Sequence, residues 1–187
     1  MHKSYWLCGA VLCLITCAGC ATLSQESCEQ GDWYGIGYKD GTDGRPQGRL
    51  LDHKKACLEF NISLDENTYQ RGRNDGLKIY CTDQNGYNEG EDIDEYKDVC
   101  PKELEQSFLK GYLLGLDAAE NELQQEISRK NKDIIKATVS LQELEGKALK
   151  KQKEKIDRLE REVESAEDDI SDIYELRRQH GLKIKTP

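Results

Sequence analysis

Along the chain the spacing of apolar positions changes twice. Residues 5–15 form a nearly unbroken apolar run behind the basic Lys3, and residues 28–100 scatter a few aliphatics among tyrosines, glycines and charges. From Pro101 onward apolar residues recur at helical spacing. Ile127, Ile134, Leu141 and Ala148 fall seven apart, with Lys130, Ala137, Leu144 and Lys151 interleaved. A second register holds Ile156, Val163 and Ile170 together with Leu159, Ala166 and Ile173. The step from Ala148 to Leu159 is eleven residues, the length of a stutter that unwinds a supercoil. Pro101 suits the first turn of a helix, and Glu103 and Glu105 suit the positive end of its dipole. The pattern predicts one helix over 101–182, engaged in a coiled coil and about 110 Å long if unbroken. Such a rod must bury its seam against copies of itself, against another protein, or against its own chain folded back near residues 146–155. Gly146 alone is a weak turn signal, so the continuous helix is the expectation.

In the middle region the repeating feature is glycine. An aromatic residue or cysteine, two residues, Gly, three residues, Gly occurs as Cys28, Gly31, Gly35; Tyr34, Gly37, Gly41; Tyr69, Gly72, Gly76; and Phe108, Gly111, Gly115, with a partial copy at Tyr87 and Gly90. On a helix these positions share one face and present a large residue beside a groove free of side chains, which predicts close helix packing. Glycine costs about 1 kcal/mol relative to Ala inside a helix, so its repeated use needs such a compensation. Turns are the alternative, most of all at residues 40–44. Ser63-Leu64-Asp65-Glu66 fits a capping box ahead of a helix over 69–80, with Tyr69, Gly72, Gly76, Ile79 and Tyr80 on one side. Residues 49–58 also read as helical, with Leu50 and Cys57 on one side. Residues 82–98 read as a loop, because Asn85-Gly86 is a turn signal and the acids after it lack apolar periodicity.

The fold expectation is therefore all-α: a small helical head over 28–100, then a long C-terminal helix over 101–182 and a short tail over 183–187. Core-forming aliphatics in the head are few, so covalent staples are expected.

The N-terminal pattern reads as a signal peptide over 1–19, its apolar run too short to span a bilayer. Cys17-Ala18-Gly19-Cys20 resembles the bacterial lipobox, in which small residues precede a cysteine that is diacylated on sulfur and becomes the new N-terminus. Lipoproteins of that kind usually carry Leu three residues before the cysteine, where this chain has Cys17. The resemblance implies lipidation of Cys20, with a tether over 20–27. Ala21, in place of the Asp that favours retention at the inner membrane, implies the periplasmic face of the outer membrane. Two or three acyl chains make membrane dissociation slow.

Cysteine arithmetic then follows. Of eight cysteines, Cys8, Cys13 and Cys17 leave with the signal and Cys20 takes lipid, leaving Cys28, Cys57, Cys81 and Cys100. Without any C-x-x-C pair among these four, a closed zinc site has little support, and an oxidising compartment favours two disulfides. Three connectivities are open; the local pairing, Cys28 with Cys57 and Cys81 with Cys100, is preferred.

A charge of −9, with 34% charged residues and a mean hydropathy of −0.81, argues against nucleic acid as a partner and against a multi-span membrane protein. Catalytic, metal and cofactor sites are not expected. His53 lies amid Lys54 and Lys55 and reads as a surface residue, no nucleophile elbow or phosphate loop occurs, and the acidic run over 91–95 lacks the EF-hand order.

Trp33 through Gly44, His53 to Cys57, Tyr69 to Cys81, Asn85-Gly86-Tyr87 and Val99-Cys100-Pro101 resemble short, cysteine- and tyrosine-containing lipoproteins of Gram-negative bacteria that form a domain of unknown function. The likeness spans roughly residues 28–115 and implies envelope location without a known activity. The expected function is a structural or adaptor lipoprotein whose coiled coil joins copies of the chain or a protein partner. The alternative is a small ligand-binding or accessory subunit with a tyrosine-lined head, oligomerised by its helix.

Overall fold

A computed structural model describes residues 22–182, and the signal, the lipobox and Cys20 lie outside the described residues. The described chain is helical, with no strand: α1 (Gln25–Gln30), α2 (Trp33–Thr42), α3 (Arg49–Leu58), α4 (Glu66–Tyr80), α5 (Asp83–Glu91), α6 (Lys102–Ser140) and α7 (Gly146–Gln179). Side-chain caps start four of them, at Ser24, Asp32, Asp65 and Thr82, each accepting a backbone N–H three residues on. The α4 cap is thus Asp65, not Ser63. Asp65 bonds both the Thr68 N–H and the Thr68 hydroxyl, which places the first helical residue one position after it.

Two helix pairs form the head, and both are sealed by glycine. A Cβ added to Gly37 would lie 2.0 Å from the Tyr69 carbonyl oxygen, and one on Gly72 would lie 2.0 Å from that of Tyr34. Gly41 and Gly76 meet the carbonyls of Arg73 and Tyr38 in the same way. The partners advance together along both helices, so α2 and α4 run parallel. The second pair repeats the arrangement: Gly86 and Gly90 of α5 face the carbonyls of Phe108 and Tyr112, while Gly111 and Gly115 of α6 face those of Asp83 and Tyr87. Only glycine permits this approach, at which Cα–H groups can donate weakly to the facing carbonyls.

Three expectations are corrected here. Residues 83–91 form a helix rather than a loop, because Thr82 caps it and Gly86 is a packing glycine instead of a turn residue. Gly31 and Gly35 are not packing glycines: Gly31 ends α1 with φ +64, and Gly35 stands beside the Asp32 cap. Ile79 is 59% exposed, and Leu77 takes the buried position on α4 instead.

Each pair carries one disulfide. Cys28–Cys57 joins the segment before α2 to the end of α3, and Cys81–Cys100 joins the segments that precede α5 and α6. Around the first lie Trp33 and Tyr69, with Leu23 and Ile36 against them. Around the second lie Leu77, Tyr80, Tyr96, Phe108, Tyr112 and Leu116. The head is thus two similar halves, each a glycine-sealed parallel pair with a cystine near its start. Its packing crosses Cys100 into the first five turns of α6. At the other end, residues 22–30 belong to the fold, with Leu23 on the core and Cys28 buried in α1.

The expected single rod is also corrected. After α6 a 3-10 turn over Leu141–Glu143 and Gly146, with φ +56, reverse the chain, and α7 returns antiparallel along α6. The two apolar registers pack on each other: Ala137, Ile156, Ala166 and Ile173 are buried along the seam. The eleven-residue step from Ala148 to Leu159 lies within the start of α7, just after the turn, where Ala148 and Lys151 are exposed. Lys130 holds a seam position by pairing with Glu126 at 3.0 Å and with Glu162. The far end of α7 completes the head, where Ile173 and Leu176 join the second core and Arg177, fully buried, bonds Asp117 at 2.7 Å and Glu120 at 2.6 Å. No helix among the described residues is long and apolar enough to cross a membrane.

Candidate functional site

The densest polar cluster lies inside the first half. Asp40, on the last turn of α2, stands beside Tyr69 of α4 because the glycine seam brings these two backbones close, and the His53 side chain reaches it from α3. His53 Nε2 lies 2.8 Å from Asp40 Oδ2, and the Tyr69 hydroxyl donates to the same oxygen at 2.7 Å. On its other side His53 Nδ1 lies 2.7 Å from Thr22 Oγ1. With Asp40 7% and His53 2% exposed, the cluster is interior, which corrects the surface reading of His53. Arg73, 2% exposed, donates to the Arg45 carbonyl and leaves its Nε without a partner.

Burial alone pushes the Asp40 carboxyl up, but the hydrogen bonds from His53 and Tyr69, with Arg49 nearby, outweigh it and hold the group below its ordinary value. Tyr69 moves the opposite way, raised by burial and by its bond to Asp40, so it stays a donor. Hydroxyl, imidazole and carboxylate stand in the order that nucleophilic catalysis uses. Here they sit in a packed interior, where the arrangement ties four segments together. Thr22 is fastened to α3 through His53, and His53 to α2 through Asp40.

A related cluster fills the second half. Glu89 occupies the position on α5 that Asp40 occupies on α2, immediately before the second glycine, and accepts from the Tyr80 hydroxyl at 3.1 Å. Burial and the nearby Asp94 and Asp92 raise its pKa despite that bond. Tyr96 and Tyr112 are pushed up to about 12, chiefly by burial. Their hydroxyls organise the 92–101 loop: Tyr96 accepts from the Cys100 N–H at 3.1 Å, and Tyr112 donates to the Asp94 carbonyl at 2.7 Å. His180 packs against both rings and lies 3.2 Å from Asp98.

On the surface, each glycine seam is flanked by a shallow polar groove. One is lined by Tyr34, Arg71, Asn74 and Asp75, the other by Asp83, Tyr87, Lys110 and Leu114. Counted from the glycines, Arg71 corresponds to Lys110 and Tyr38 to Tyr87. No group of three or more His, Cys, Asp or Glu among the described residues is arranged to hold a metal ion.

Of the residues expected from sequence, the four head cysteines come together in the preferred pairing, and Gly37, Gly41, Gly72, Gly76, Gly111 and Gly115 line the two seams. Gly86 and Gly90 were hidden by the turn signal, although their spacing matches the other copies. The pairing of Asp40 with His53 leaves no local signal, since thirteen residues and a turn separate them.

A two-cystine, two-seam helical head with an antiparallel arm is the class of structure these features define. Residues 32–117 match the family described as "Protein of unknown function (DUF2799)". That segment runs from the cap of α2 to the end of the second seam, so the match covers both glycine-sealed pairs and stops where the free arm begins. No curated protein and no solved structure matches the chain.

Proposed function

We propose that this chain is a lipid-anchored envelope protein of adaptor type, acylated at Cys20 on the periplasmic face of the outer membrane, with the α6–α7 arm reaching a partner. The observation that carries the reading is the fastening of Thr22, two residues after Cys20, to the buried His53 and Asp40. An anchor followed at once by a locked core holds the head against the bilayer, and a rigid base gives the arm a defined direction. The two cystines fit an oxidising compartment. The arm buries its own seam, which removes the need for a second copy and leaves its outer surfaces for recognition.

Intact-mass analysis of the chain purified from envelopes of a Gram-negative host tests this. The expected product begins at Cys20 and carries acyl mass that Cys20→Ala lacks. An unmodified polypeptide of the same start would defeat the reading.

The ligand-binding alternative rests on Tyr34 and Tyr38, 43% and 40% exposed, whose rings stack at 6.3 Å beside the first groove. Such a platform suits a sugar face. Under that reading, a head with its arm excised keeps all of its ligand affinity.

A further inference from the structure

Charge is distributed unevenly along this chain. Residues 129–161, the outer part of the arm, hold eleven Lys and Arg against six Asp and Glu, a net +5, so the remainder carries −14. The last head contacts of the arm lie near Asp117 and Glu120, and the turn begins at Leu141, so the tip stands about 30 Å beyond the head. That is several screening lengths at physiological salt, and an approaching surface meets the positive tip without the acidic head.

The tip also has a shape. Lys147, Lys151, Lys155 and Arg158 fall at helical spacing along one stripe of α7. Lys151, Lys155 and Arg158 border a groove that includes Leu144 and Ala148, together with Glu154, which pairs with Lys150 at 3.9 Å. Among the described residues Lys147, Lys151 and Lys155 make no ion pair. On α6, Ile135 and Val139 are 64% and 67% exposed, near the exposed Lys132 and Lys136.

We infer that the arm tip docks on an anionic phospholipid surface, the lysine stripe of α7 meeting headgroup phosphates. Charge complementarity selects a polyanion, and Leu144 and Ala148 among those lysines select one with hydrocarbon beneath its charge. This names what the arm of the proposed adaptor reaches and so rests on that reading, yet it does not need the Cys20 anchor.

The test uses the chain from residue 20 onward, produced without residues 1–19 and with Cys20→Ser, so that neither the apolar signal nor acylation can deliver it to lipid, and vesicles of phosphatidylcholine with or without phosphatidylglycerol. Sedimentation should show binding only to the anionic vesicles, lost at high salt. Lys147→Glu, Lys151→Glu and Lys155→Glu combined, all at exposed positions, should weaken it about a hundredfold at roughly fivefold per lysine, with an unchanged melting curve. Equal binding to neutral vesicles, or full binding by the triple variant, overturns the inference. So does salt-sensitive self-association without vesicles that the triple variant abolishes, since the tip would then be meeting the acidic head of a second copy. The acyl mass of the unsubstituted chain is read separately, so loss of vesicle binding and loss of anchoring are distinct results.

Discussion

Eight glycines decide how closely four helices approach, and their substitution separates packing from propensity. Gly72→Ala and Gly111→Ala place a methyl group 2.0 Å and 1.8 Å from a carbonyl oxygen, which only parting the helices relieves. Each is expected to cost at least about 3 kcal/mol, in the range of severe overpacking. Gly48→Ala, with open space around it and ordinary helical backbone, should be neutral or slightly stabilising; thermal melts of the three compare them directly. Two acids at corresponding positions behave oppositely. The Asp40 carboxyl sits below its unfolded value of 3.8, so its contribution is present above that pH and fades as pH falls toward the folded value. Asp40→Asn should therefore lose about 1–3 kcal/mol near neutrality, a gap that closes in strong acid. Glu89, raised above 4.5, destabilises the fold once pH exceeds that value, and Glu89→Gln should raise stability at pH 7 but not below pH 4. Denaturant titrations across pH check both signs.

Among elements, the cystines and the arm have separable roles. Each disulfide closes a loop of 29 or 19 residues by sequence separation, worth roughly 3 kcal/mol in the loop-entropy model. The pair Cys81→Ser and Cys100→Ser should lower stability by about that amount, and thiol titration of the denatured unreduced mature chain should find no free head sulfhydryl. The arm returns to the head, so its length and its end differ in importance. Excising 128–165 and closing the gap with a short flexible loop leaves Ile173, Leu176 and Arg177 in place and should preserve a cooperative melt. Truncation after residue 118 removes all three and should destabilise the head severely, because a core position empties and Asp117 loses its buried arginine. Circular dichroism of the two deletions distinguishes them.

Taken whole, the molecule is a twofold internal repetition with an arm. The repetition is structural more than sequential: the second copy replaces Tyr34 with Asp83, Tyr69 with Phe108 and Asp40 with Glu89, while the glycines and the cystines stay. Backbone contact tolerates no substitution, whereas side chains around it can change in concert. The family match, residues 32–117, spans both copies of the repeat.

Local composition already declared α2, α3 and α4, the helical character of the arm, the glycine spacing and the even number of head cysteines, because each is a property of neighbouring residues. So were both apolar registers of the arm, although periodicity alone cannot say whether two registers lie end to end or face to face. That choice depended on Gly146 adopting a positive φ and on Ile173, Leu176 and Arg177 finding the head, which are long-range events. Likewise the helix over 83–91 was masked because Asn-Gly reads as a turn until a second helix approaches Gly86 closely enough to use it. Burial of His53 between Thr22 and Asp40 belongs entirely to tertiary structure, since no local pattern relates three residues on separate segments.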